Sequence, residues 1–144
     1  MRFEIRPAAA GDIPALEALE AACFSDPWSE SSLRGAVLRP EYTVLLAEEN
    51  GRAAGYAVAR VILDEAELLR IGTLPEYRGE GLGTALLQKL LAEISAAVWR
   101  LDVRAGNLPA QALYRRTGFR EEARNRNFYE HPSEDGILML LEQP

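Results

Sequence analysis

Between positions 78 and 84 the chain reads Arg78-Gly79-Glu80-Gly81-Leu82-Gly83-Thr84, three glycines alternating with larger residues just ahead of a leucine-rich run. Glycines so spaced let the backbone turn until successive N–H groups converge on one point. A helix starting there adds unpaired donors and the positive end of its dipole. The chemistry this permits is the cradling of an anion, above all a phosphate. Two phosphate loops are excluded by the letters. No Gly-Lys-Ser/Thr follows, and the third glycine of the dinucleotide fingerprint is missing, with Thr84 and Leu86 in the places it would take. Metal chemistry is close to excluded too, because one cysteine, Cys23, and one histidine, His131, make no Cys/His ligand set.

The elements around this stretch follow from periodicity. Phe3 to Arg6 alternates into Pro7 as a short strand. Asp12 is expected to cap a helix from Ile13 to about Cys23, with Ile13, Leu16 and Leu19 on one side. Asp26-Pro27-Trp28 breaks it, and Ser29 caps a second helix that ends before Pro40. The period then changes from 3.6 to 2. Strands are predicted over 42–48, 53–63 and 67–73, the first two joined by a turn around Asn50-Gly51, which makes an antiparallel meander. Thr84 to Ala97 reads as a helix on the stripe Leu86, Leu87, Leu90, Leu91 and Ile94. A strand at 98–103, a helix at 108–116 closed by Gly118, and two last strands, the second at 137–141, complete the chain. The order β-α-α-β-β-β-α-β-α-β-β predicts a mixed sheet carrying helices. No repeat or linker-like run divides residues 1–144, so a single domain is expected.

With 144 residues, 48% apolar and 26% charged, the chain can build an ordinary core. Its 16 basic and 22 acidic residues leave a formal charge of −6. That argues against a protein gripping nucleic acid by its phosphates and suits a cationic or amine-bearing partner. One cysteine excludes an internal disulfide. The N-terminal residues lack a signal-peptide pattern and no stretch approaches a membrane span, so the expected location is the cytoplasm.

Arg78-x-x-Gly81-x-Gly83 after a strand and before a leucine-rich helix resembles the pyrophosphate loop of the GNAT family, the acyl-CoA-dependent N-acetyltransferases. Asn107, then Ala112-Leu113-Tyr114 and Gly118-Phe119, is similar to a second segment of that family. Pro27-Trp28-Ser29-Glu30, the run from Leu101 to Asn107, Arg126 to Tyr129, and Glu134 to Met139 narrow the likeness to its RimI-type ribosomal-protein-alanine N-acetyltransferases, and it covers essentially the whole chain. The resemblance implies an α/β (α+β) GNAT fold, a mostly antiparallel sheet of about seven strands with about four helices. Acetyl-CoA would lie in a cleft between two splayed parallel strands.

It also implies roles. Ile71, Gly72 and Thr73 match backbone positions that bind the pantetheine arm like an added strand. Gly79, Glu80, Gly81, Leu82, Gly83 and Thr84, with Arg78, match the pyrophosphate loop, and Asn107 a CoA contact that also reads as a helix cap. Tyr114 matches the general acid that protonates the leaving sulfur. The family's RimI-type members carry a glutamate base where this chain has the shorter Asp102. Glu67, four residues before Ile71, matches the base of histone-type members, so the two carboxylates are expected to share that role. Trp28 and Tyr129 match peptide-contacting positions, while packing explains either equally well. Cys23 reads as a small buried hydrophobe and His131 as a turn residue. The implied partner is the N-terminal peptide of a protein, most simply a ribosomal one, with no metal, nucleic acid or membrane involved. A small-amine acceptor and a non-catalytic acyl-CoA-binding module stay open as alternatives.

Overall fold

The computed structural model describes residues 2–143. Seven strands form one sheet in the order β1-β2-β3-β4-β5-β7-β6: β1 Glu4–Pro7, β2 Tyr42–Glu49, β3 Arg52–Ile62, β4 Glu65–Thr73, β5 Val98–Arg104, β6 Arg120–Tyr129 and β7 Glu134–Glu142. Every neighbouring pair is antiparallel except β4 with β5. Helices α1 (Ile13–Cys23) and α2 (Glu30–Leu38) pack through Leu16, Leu19 and Leu33 onto Val44, Leu46, Tyr56 and Val58. On the other face α3 (Leu82–Glu93) sets Leu86, Leu87 and Leu90 against Leu45, Ala57, Ala66 and Trp99, with Tyr114 of α4 (Leu108–Thr117) in the same core. These two layers on a mixed, mostly antiparallel sheet of seven strands match the architecture that the resemblance implies.

Local signals place most of the element ends. Asn50 and Gly51 both take positive φ, 51° and 79°, as a tight hairpin turn demands. Ser29 Oγ accepts the Ser32 N–H at 3.1 Å and starts α2. β4, α3 and β7 begin two or three residues earlier than expected, at Glu65, Leu82 and Glu134, and two further ends differ in kind. Asp12 gives α1 no side-chain cap; its carboxylate accepts the Ala9 N–H at 2.8 Å and both terminal nitrogens of Arg6, closing the 3-10 turn that precedes the helix. That pairing holds the Asp12 carboxyl at about 2. Helix α3 ends at Glu93, not Ala97. Ile94 leaves the helix with φ −104° and ψ 118°, so Ile94 and Ala96 are buried by the alternation of extended chain leading into β5. The four-residue step from Leu90 to Ile94 suits a helix, and the backbone resolves it otherwise.

Candidate active site

β4 and β5 pair only over Glu65–Glu67 and Val98–Arg100, though β4 runs on to Thr73 and β5 to Arg104. A bulge helps part them. Val58 faces Arg70 and Ala59 faces Leu68, so Leu69 is an extra residue that bends β4. The strands diverge around a cleft of about 840 Å³.

Most of the singled-out residues meet there. Asp102 and Tyr114 line the cleft, and so do Ile71, Gly72, Thr73 and Tyr129. Arg78, Gly79, Gly81, Leu82, Gly83, Thr84 and Asn107 line it too. Gly79 and Gly81 take φ of 80° and 82°, where a side chain is strained, and open space lies within 4 Å of a Cβ built on either. Gly81 is the N-cap of α3 and no side chain among the described residues caps that helix, so its first N–H groups have no side-chain acceptor. Asn107 accepts the Ala110 N–H at 3.2 Å, so it caps α4 while lining the cleft. Gly72 is closely approached, since a Cβ there would come within 3.2 Å of Cys23 and Phe24.

Three residues lie apart. Glu67 Oε1 accepts from Arg60 at 2.9 Å, and Glu67 lines with Arg60 and Arg100 a separate hollow of about 140 Å³. It shares Asp102's side of the sheet, because Glu67 stands opposite Arg100 and Asp102 follows two residues later. Alternation thus orients the carboxylates alike, but Glu67 is bonded to Arg60 and lines the separate hollow. The Glu80 side chain is bonded to Arg2 instead. Trp28 donates its backbone N–H to Glu20 at 2.5 Å and lies 5.1 Å from the Arg70 guanidinium, outside the cleft lining.

The electrostatics separate two proton-handling groups. Burial pushes the Asp102 carboxyl up from its ordinary value and the Glu67 charge adds to this, while Arg100 opposes it. Tyr114 is 6% exposed, and burial raises its hydroxyl further, so it holds its proton at every working pH. Burial, and then the Asp102 charge, push Tyr129 up to about 12. The arrangement brings a carboxylate, a buried phenol and the left-handed glycines of the loop to one cleft.

The acetyltransferase (GNAT) family model matches residues 13–119. The chain belongs to this family. It is 38% identical over 136 residues to the [ribosomal protein bS18]-alanine N-acetyltransferase of Escherichia coli K12, covering 90% of each chain. A putative enzyme of the same name from Bacillus subtilis is 34% identical over 134 residues, 90% of this chain and 89% of the other. The crystal structure of the ribosomal-protein-S18-alanine N-acetyltransferase from Escherichia coli superposes with a TM-score of 0.90 at 36% identity, covering 97% of this chain and 93% of the other.

This GNAT acetyltransferase has the features an acetyl-CoA site needs. The open left-handed glycines and uncapped start of α3 fit a pyrophosphate, and past Glu67 the edge of β4 turned away from β3 faces the cleft without pairing to β5. Among the described residues no group of three His, Cys, Asp or Glu side chains could hold a metal, and no helix is long and apolar enough to cross a membrane.

One ion pair, a buried carboxylate with a half-buried arginine, was not evident from the sequence. Glu20, 0% exposed, accepts from Arg70 at 3.1 Å, and Arg70 also donates to the Asp26 carbonyl at 2.8 Å and stacks 4.0 Å over Phe24. Burial raises the Glu20 carboxyl. This pair ties the loop between α1 and α2 to the bulged strand. A signal existed: Glu20 continues the spacing of Ile13 and Leu16, a carboxylate on an apolar stripe. Cys23 also differs from expectation. It is half-buried and lines the cleft, donating to the Thr73 carbonyl at 3.4 Å.

Proposed function

We propose that this acetyltransferase moves the acetyl group of acetyl-CoA onto the N-terminal α-amine of a protein, and that the N-terminal alanine of ribosomal protein bS18 is its acceptor. The observation that carries this is the meeting of Asp102, Tyr114 and the glycine loop in one cleft opened by the parting of β4 and β5. Acetyl-CoA supplies the acetyl thioester. Asp102 accepts the amine proton, directly or through one water, which offsets its shorter reach. Tyr114 delivers its proton to the sulfur, and its raised affinity for that proton is answered by immediate recapture from solvent or from the amine. Glu67 takes no proton; its charge keeps Asp102 basic. The loop braced by Glu20 and Arg70 and the hairpin end bearing Tyr129 flank the acyl end and receive the acceptor peptide. Ser25 Oγ bonds the His131 carbonyl at 3.2 Å, which joins these two walls.

An α-amine suits a modest base. With a pKa near 7.8 it is already about 14% neutral at pH 7, against about 0.04% for a lysine side chain. The same reading sets the reaction in the cytoplasm, where ribosomal proteins are made, in a single-domain enzyme. The test offers purified protein and acetyl-CoA a peptide mixture that includes the N-terminal residues of bS18, and reads products by mass spectrometry. Acetylation of the N-terminal alanine is expected. Modification of lysine side chains with every N-terminal alanine untouched would overturn the proposal.

A further inference from the structure

The charge of the cleft is the reverse of the molecule's. The protein carries −6 overall, while the cleft is lined by Arg70, Arg78, Arg104 and Arg116 against the single carboxylate of Asp102. Two of the four arginines, Arg70 and Arg104, are held in ion pairs, and a third, Arg78, which belongs to the glycine loop, is tethered through Nε alone. Arg70 holds Glu20 and the Asp26 carbonyl, Arg104 holds Glu134 and the Pro132 carbonyl, and Arg78 Nε donates to the Thr73 carbonyl at 3.3 Å. Arg116 has no ion pair among the described residues, whereas Arg115, Arg120 and Arg124 reach Glu121, Glu142 and Asp135 at 3.7, 2.8 and 3.8 Å.

Its position follows from α4. Pro109, Leu113 and Arg116 recur at helical spacing and so share one face, and all three line the cleft. That face packs on the start of α3, since a Cβ on Gly83 would lie 3.3 Å from Leu113 Cδ2. Arg116 is one turn past Leu113, at the end of α4 away from Asn107. It is exposed and lines the same cleft as the glycine loop.

We propose that Arg116 binds the 3′-phosphate monoester of coenzyme A and makes this acetyltransferase select CoA thioesters over their 3′-dephospho forms. This rests on the reading of the chain as acetyl-CoA-dependent. The converging N–H groups at Gly81 to Gly83 serve the pyrophosphate, which leaves the monoester without a partner in the loop. A guanidinium offers such a dianion two parallel donors, and its freedom from carboxylates keeps both available.

Titration calorimetry with acetyl-CoA and with acetyl-3′-dephospho-CoA tests the assignment on the wild type, Arg116→Gln and Arg116→Lys. The wild type should prefer acetyl-CoA by about tenfold, the scale of one charge-assisted contact at a partly exposed site. Arg116→Gln should lose that preference with its affinity for the dephospho compound unchanged, and Arg116→Lys should keep part of it. The wild-type preference should shrink as salt is raised. Equal affinity of the wild type for both compounds, or an undiminished preference in Arg116→Gln, would overturn this inference alone. Failure of the wild type to bind either thioester would overturn the acetyl-CoA reading with it.

Discussion

Replacing Asp102 by Asn keeps the size of the side chain and removes its proton affinity, so its effect on rate can be divided into two parts. The first comes from the acceptor. An α-amine of pKa near 7.8 is about 14% neutral at pH 7 and about 94% neutral at pH 9, a ratio of about seven. If Asp102 deprotonates the bound ammonium, the wild type is nearly flat over this range, while Asp102→Asn gains about sevenfold from pH 7 to pH 9. The second part is proton transfer as the new bond forms, about 10²-fold for a positioned base. The variant should therefore fall about 700-fold in kcat/KM at pH 7, the product of the two parts, and about 10²-fold at pH 9, where only the second remains. Initial rates with an N-terminal alanine peptide, followed by release of free CoA thiol, measure both. A loss that does not change between pH 7 and pH 9 would mean that Asp102 positions the amine instead of taking its proton. Wild-type rates in the folded variant would refute the base assignment outright.

Glu67→Gln should leave most activity at pH 7 and move the acidic limb of the kcat/KM profile to lower pH, because the Glu67 charge raises Asp102; an unmoved limb would separate the two carboxylates. Tyr114→Phe should lower kcat by about 10²-fold with little change in acetyl-CoA affinity, read by steady-state kinetics and calorimetry. Gly81→Ala should cost about 1–2 kcal/mol of stability for a side chain in left-handed backbone. It should also weaken acetyl-CoA binding, because φ there is 82° and no neighbour contributes a clash; unchanged affinity in the folded variant would remove the loop from the site. Asp12 contributes stability through a carboxyl held at about 2 by Arg6, below its ordinary 3.8. That contribution is present above the ordinary value and is lost as pH falls toward 2, so denaturation midpoints of wild type and Asp12→Asn should differ at pH 6 and converge in strong acid.

The parts of the fold that could be read in advance are those whose cause is local. Asn50-Gly51 needs positive φ whatever surrounds it, Ser29 caps its own helix, and Leu86, Leu87 and Leu90 declare one face of α3. Where Ile94 leaves the helix is settled by the sheet it must enter, and sequence spacing carries no trace of that. The candidate site divides the same way. The glycine loop is written in consecutive letters. That Glu67 sits at the last paired rung of β4 and β5, bonded to Arg60 from another strand, while Asp102 lies beyond it, is set by contacts distant in sequence. Cys23 and Arg70 enter the cleft because α1 packs across β4, a contact between positions 50 apart in Cys23 and Thr73.

The parting of β4 and β5 also makes a mechanical seam. Strands β1 to β4 lie on one side of it and β5, β7 and β6 on the other, stitched in the sheet only by the three register pairs from Glu65–Val98 to Glu67–Arg100. A sheet transmits force through its ladder, so the two panels can flex about that short seam. An extended molecule that bonds to the exposed backbone of β4 replaces the missing rungs from Leu68 to Thr73 and locks one panel to the other. Slowed amide exchange on occupancy should then spread across both panels, well beyond the atoms the ligand touches.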